Sequence, residues 1–243
     1  MKNTRRPISK RFLKVAGIIV LVLAVCAGAF FWYVSDYYRA EDVALEVLAQ
    51  DTSISAKGRL TVLSSPYPTD TAIIFYPGAK VEAEAYLPLL DQLRRTGVTC
   101  MLVHMPFHMA IFDPNAAEDI MPLFSEIRHW YIAGHSMGGA MASKFAAEHP
   151  DAVEGLILLG AYIYGDYPAE NTLTVYGSLN QSVEDRIDYT ENVIEIEGGN
   201  HAQFGNYGPQ KGDPPATISA QDQQAQTVEA IQKFLDKKSQ KAK

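Results

Sequence analysis

Residues Trp130 to Gly139 read WYIAGHSMGG, and no other stretch restricts the fold of this chain so tightly. Aromatic and β-branched residues lead into a serine flanked by Gly134, Gly138 and Gly139, and a helix-compatible run, Ala140 to Glu148, follows. A strand, a sharp turn and a helix in direct succession leave no space for side chains beside the turn. Glycines at 134 and 138 remove that collision. The first turn of such a helix aims free N–H groups at Ser136, a setting that favours negative charge. Gly134-His135-Ser136-Met137-Gly138 is the G-x-S-x-G pattern of a nucleophile elbow, a pattern that gains meaning only from the strand before it and the helix after it.

Around this turn, apolar strands and amphipathic helices alternate. Arg59 to Leu63, Thr71 to Tyr76 (TAIIFY), Val98 to Val103, Gly155 to Leu159 (GLILL), Thr172 to Tyr176 (TLTVY) and Asn192 to Ile196 (NVIEI) read as strands. Glu82 to Thr96, Asn115 to Ile127 and Thr217 to Leu235 read as helices, with Gly97 stopping the first and Ser219 as N-cap of the last. Tyr37 to Gln50, with Val43, Leu45, Val47 and Leu48, reads as a short amphipathic helix. The alternation predicts an α/β fold with a mostly parallel, doubly wound sheet covered on both faces. The segment between GLILL and TLTVY is too short for a cap domain, so an open, shallow site is expected.

The ends differ from the middle. Val15 to Val34 is uncharged and long enough for a helix across a bilayer core of about 30 Å. Lys2, Arg5, Arg6, Lys10, Arg11 and Lys14 precede it and Phe31-Trp32-Tyr33 close it, which predicts a cytoplasmic N-terminus, a plasma-membrane anchor and an extracytoplasmic domain. Two alternatives are a signal peptide cleaved near Ala27-Gly28-Ala29 and a lipoprotein signal at Cys26, but the apolar run continues past both. The net charge is −7, and the part from 35 to 232 is acidic, which makes it a poor nucleic-acid binder; no nucleic-acid partner is expected. Cys26 and Cys100 show neither disulfide nor zinc spacing, and no metal or organic cofactor is implied. The expected division is a basic tail over 1–14, an anchor over 15–34, a juxtamembrane linker or helix over 35–58, the α/β domain over 59–236 and a disordered lysine-rich tail over 237–243.

Three motifs carry a family resemblance: Tyr76-Pro77-Gly78-Ala79-Lys80, the elbow, and Gly198-Gly199-Asn200-His201-Ala202-Gln203-Phe204-Gly205. With them, residues 59 to 236 resemble the α/β-hydrolase family, and within it small bacterial members of the dienelactone hydrolase and carboxylesterase branch. The resemblance implies a serine hydrolase acting on a small ester or related acyl substrate, in the chain order nucleophile, acid, histidine. Ser136 is then the nucleophile and His201 the base. The Met137 and Ala79 N–H groups form the oxyanion hole, and Lys80, Phe204 and Tyr207 are candidates for the mouth of the site. His135 points away from the site in the family. His149 suits a helix C-terminus, and His104, His108 and His129 read as loop or strand-edge residues.

The departure lies at the acid. The family places an aspartate at the position held here by Asn180, in Gly177-Ser178-Leu179-Asn180. An amide orients a neutral imidazole but gives an imidazolium no compensating charge. Three readings follow: Asn180 acts as a weak orienter, Glu184 or Asp185 replaces the acid, or the domain is a silent binding protein. An acyltransferase using the same serine shares every motif.

Overall fold

The computed structural model describes residues 10–51 and 53–241, which fall into two compact units that part after Asp36. Most of the basic tail, residues 1–9, lies outside the described residues, as do 242 and 243. The first unit is one helix, α1 (Lys10–Ser35). Its stretch Leu13–Ser35 is a candidate membrane span, 23 residues long, which is about 34 Å at 1.5 Å per residue. A signal sequence shares that length and composition.

The second unit is built on an eight-stranded sheet. Its strands are β1 (Ile54–Lys57), β2 (Leu60–Leu63), β3 (Thr71–Tyr76), β4 (Thr99–Val103), β5 (His129–His135), β6 (Gly155–Leu159), β7 (Thr172–Gly177) and β8 (Val193–Ile196). The spatial order is β1-β2-β4-β3-β5-β6-β7-β8. β2 runs antiparallel to β1 and β4, and every other neighbouring pair is parallel. The helices are α2 (Asp42–Gln50), α3 (Leu87–Arg94), α4 (Ala116–Ile120), α5 (Met137–Glu148), α6 (Gln181–Glu184) and α7 (Ala220–Lys241).

Because successive strand side chains face opposite ways, the apolar strands divide between two cores. Ile73, Phe75, Ala133, Ile157 and Leu159 pack with α3 and α7 residues such as Leu90, Leu93, Ile231 and Phe234. Ile74, Ile132, Leu156 and Leu158 pack with Ala142, Phe145 and Ala146 of α5. This continuous apolar character is what a sheet covered on both faces requires.

Several boundaries differ from the sequence expectation, each for a local reason. The helix expected over 82–96 begins as a 3-10 turn at Ala83–Tyr86, and α3 follows with Pro88 in its first turn. The helix expected over 115–127 ends at Ile120, because Pro122 turns the chain into a short 3-10 segment. The segment 37–58 contains the helix α2 inside the 37–50 stretch expected to be helical, and it packs within the second unit. Tyr38 pairs with Val81, and β1 adds an edge strand that its polar residues did not signal. Buried Arg94 ties the same segment to α3 through Asp51, Ser53 Oγ (3.1 Å) and Asp91 (2.8 Å). The tail expected to be disordered is helical to Lys241, with Lys237 reaching Asn192 Oδ1 at 2.8 Å and Lys238 reaching Asn171 Oδ1 at 2.6 Å. Ser219 caps α7, its Oγ accepting the Asp222 N–H at 3.0 Å.

Candidate active site

The loops after β3, β5, β7 and β8 leave the sheet at its C-terminal edge, where open α/β sheets bind their ligands. The loop after β5 is the elbow. Ser136 has φ 53° and ψ −123°, a backbone state that a residue with a Cβ occupies only under constraint. The constraint is visible on both sides. A Cβ at Gly134 would lie 2.4 Å from the Gly138 backbone, and one at Gly138 would lie 2.2 Å from the Tyr76 carbonyl oxygen. The Ser136 N–H donates to the Leu159 carbonyl at 3.0 Å, which fixes the turn against β6.

One cavity of about 610 Å³ is lined by Ser136, Met137, Asn180, His201, Lys211 and Asp213, among others. Ser136 and His201 thus share a wall, with no hydrogen bond joining the serine Oγ to the imidazole. Such contacts commonly tighten only when substrate binds. Ala79 sits on the loop after β3 and does not line this cavity. Neither its N–H nor that of Met137 donates to an acceptor among the described residues. The site is walled on one side by Gln210 to Pro214 from the long segment after β8, so it is less open than the short β6–β7 connection suggested.

The β8 loop is held by α7. Gln223, fully buried, accepts the Asn200 N–H at 3.0 Å and donates to the Asn200 carbonyl at 2.9 Å. The Asp213 carboxylate accepts the N–H groups of His201 (3.1 Å) and Ala202 (2.8 Å). Burial moves the His201 imidazole below the ordinary histidine range, and the Asp213 charge partly opposes that shift. The ring is therefore neutral at pH 7, the state a general base needs.

Asn180 heads α6 without capping it. Its side chain turns to His201 instead, with Nδ2 2.7 Å from the ring Nδ1, while Oδ1 accepts from Ser182 Oγ at 3.1 Å. A carboxylate here would only accept, forcing a hydrogen onto Nδ1 and leaving a lone pair on Nε2. An amide has two settings. With Nδ2 facing the ring, Nδ1 accepts, the hydrogen lies on Nε2, and no lone pair remains for a serine proton. With the amide turned over, Oδ1 accepts from Nδ1–H and Nε2 is ready. Ser182 allows both, because a hydroxyl donates or accepts. The alternative acids lie outside the cavity. Glu184 ends α6 and Asp185 follows it, both are exposed, and Asp185 accepts from Gln181 Nε2 at 2.9 Å.

Phe204 and Tyr207 also lie elsewhere than expected. Both are buried in the core, and Tyr207 donates to Gln210 Oε1 at 3.0 Å. Lys80, with φ 57°, donates its N–H to the His108 carbonyl at 2.7 Å. His108 stacks on Tyr37, His104 meets Thr61 Oγ1 at 2.9 Å, His129 meets Glu154 at 2.5 Å, and His149 stacks on Phe145. Among the described residues, no three His, Cys, Asp or Glu side chains converge to hold a metal ion.

Sequence reasoning missed two groups, Asp213 and Tyr86. The second belongs to a buried chain of hydrogen bonds. The Tyr86 hydroxyl accepts the Gly78 N–H at 3.0 Å and lies 2.7 Å from His135 Nδ1, and His135 Nε2 lies 3.0 Å from the His201 carbonyl. A carbonyl only accepts, so His135 carries its hydrogen on Nε2, and the Tyr86 O–H donates to Nδ1. Burial, with His201 beside it, holds His135 well below the ordinary histidine range, consistent with this neutral tautomer. The chain links the loop after β3, the elbow strand and the His201 loop. Tyr86→Phe leaves one buried N–H and one buried ring nitrogen unpaired, and is expected to cost about 1–3 kcal/mol. Urea denaturation checks it; an unchanged midpoint would show that the hydroxyl contributes nothing.

A model of the alpha/beta hydrolase family matches residues 72–225. A pyrethroid hydrolase of Sphingobium wenxiniae is 32% identical over 102 residues, covering 38% of this chain and 36% of that protein. The curated relatives are matched over only 18% to 37% of their own lengths. Two solved structures share the fold. Est1E from Butyrivibrio proteoclasticus has a TM-score of 0.53 at 16% identity, covering 76% of this chain and 97% of that one. A serine hydrolase without lid from Xanthomonas campestris has a TM-score of 0.54 at 14% identity, covering 76% and 96%. The family match spans more than half of the chain and takes in every parallel strand, so this strand order and this elbow are those of a member: the chain belongs to the alpha/beta hydrolase family.

Proposed function

We propose that the chain is a serine hydrolase that cleaves a small carboxylic ester or related acyl compound through an acyl-enzyme. It fits best in the small dienelactone hydrolase and carboxylesterase branch. One observation carries this reading: a strained serine at the N-terminus of α5 shares a cavity with a partly buried, neutral histidine. The relative named a pyrethroid hydrolase agrees with an ester substrate. In the first step Ser136 Oγ bonds to the carbonyl carbon, the carbonyl π pair moves onto its oxygen, and the hydroxyl proton passes to His201 Nε2. The unengaged N–H groups of Met137 and Ala79 are suited to receive the oxyanion. The proton then returns to the leaving alkoxide as the tetrahedral intermediate collapses, and water repeats the sequence to free the acid. Asn180 orients the ring in its Oδ1-facing setting.

The domain is anchored by Leu13–Ser35, with the N-terminus cytoplasmic and the domain extracytoplasmic. This rests on the apolar length and the basic residues before it. Spheroplasts test the orientation, because a domain resistant to added protease contradicts it.

A second reading, a domain that binds without turnover, is favoured by the Nδ2-facing amide, which gives His201 the unproductive tautomer. A fluorophosphonate probe separates the two. The full chain in detergent is expected to label at Ser136 and to hydrolyse p-nitrophenyl esters. An unlabelled protein that still binds ester analogues would establish the second reading.

A further inference from the structure

We infer that Asp213 supplies His201 with the negative charge that position 180 lacks, so that orientation and charge, joined in one aspartate elsewhere in the family, are divided here between two residues. The inference rests on the proposed role of His201 as base. Asp213 is a positioning residue, acting through His201 rather than on the substrate.

The geometry is specific. Both carboxylate oxygens are used, one on the N–H of His201 at 3.1 Å and one on the N–H of Ala202 at 2.8 Å. These neutral donors fix the carboxylate beside the His201 backbone without cancelling its charge. Asp213 forms no salt bridge with any described residue, although Lys211 lines the same cavity.

The other groups around the ring do not take this part. Asn180 and Ser182 are uncharged. His135, with ring centroids 4.6 Å apart, is buried and neutral, and as a cation it would repel. Lys211 also has the wrong sign. Glu184, at the end of α6, and Asp185, just after it, are exposed and outside the cavity. When the Ser136 proton reaches Nε2, the ring changes from neutral to +1 while Asp213 stays at −1. Their attraction arises in that step alone, and a partly buried setting screens it less than bulk water would. It is weaker than a carboxylate bonded to Nδ1, because it acts across the backbone.

The test follows the His201 imidazole by NMR titration, and hydrolysis of p-nitrophenyl acetate, in the full chain in detergent. Asp213→Asn keeps the size and one acceptor but removes the charge. It is expected to lower the His201 midpoint by about one pH unit and kcat by up to about tenfold, with KM nearly unchanged. Asp213→Glu, which keeps the charge, is expected to hold the wild-type midpoint. The double variant Asn180→Asp/Asp213→Asn is expected to recover at least the wild-type midpoint and rate. An unmoved midpoint in Asp213→Asn overturns the inference. So does a midpoint in Asp213→Glu as low as in the asparagine variant, which would mean that shape rather than charge matters. The titration needs no turnover, so a wild type that fails to label at Ser136 would remove the hydrolase reading while leaving the effect of Asp213 measurable.

Discussion

Ser136→Ala is expected to abolish ester hydrolysis and fluorophosphonate labelling, with kcat falling by about 10⁴-fold or more. The size follows from the proposed chemistry. Without the Oγ there is no acyl-enzyme, and only water placed by the oxyanion donors and by substrate binding can react. The residual rate reports those terms alone. The substitution changes little else. Ser136 Oγ makes no hydrogen bond among the described residues, so its loss unpairs nothing, and alanine keeps the same Cβ in the same strained backbone at φ 53°. The melting temperature should therefore stay close to that of the wild type. A separate change isolates the strain: Ser136→Gly removes the Cβ and should relieve part of the 1–3 kcal/mol that such a conformation typically costs, an order-of-magnitude range of roughly that size. Hydrolysis surviving in Ser136→Ala would mean that the turnover belongs to another nucleophile or to a contaminant.

The elbow was legible in the sequence because its requirements are local. Two glycines must flank a residue whose backbone neighbours come within van der Waals contact, and no other residue type meets that need. The central strands were legible for a similar reason, since burial on both faces writes an apolar run such as GLILL directly into the chain. Edge strand β1 was not, because Ile54–Lys57 is mostly exposed and carries no such run. Two helix boundaries were missed although Pro88 and Pro122 marked them. Asp213 and Tyr86 were hidden for a different reason. Asp213 meets the His201 loop through backbone N–H groups, and Tyr86 meets His135 from a separate element. Such contacts impose no periodicity or spacing that a single sequence displays. The exposure of Glu184 and Asp185 likewise depended on where α6 begins, which the residues around Asn180 did not reveal.

Asn180→Asp is the variant expected to increase activity. An aspartate has no donor to offer, so the unproductive setting of the amide disappears and every His201 carries its hydrogen on Nδ1. Its charge also stabilises the imidazolium at short range. An Asp→Asn change in a serine protease triad lowers turnover by about 10⁴, which sets an upper bound for the reverse change here. The gain should be smaller, about ten- to a thousandfold, because Asp213 already provides part of the charge and the amide already spends part of its time in the productive setting. The pH profile gives an independent sign. Burial depresses the His201 pKa in the wild type, so the acid limb of kcat/KM should fall below about pH 6.5. A carboxylate at 180 favours the protonated ring, raises that pKa and moves the limb upward. Stability changes in the same sense. A ring kept neutral by burial loses its contribution as pH falls from the unfolded value through the folded one, and the new carboxylate lessens that acid loss. Higher turnover with an upward-shifted limb would identify position 180 as the element that limits the rate. Unchanged turnover with a shifted limb would mean that charge at His201 is not limiting and that acylation is slow for another reason, such as the placement of the Ala79 and Met137 donors.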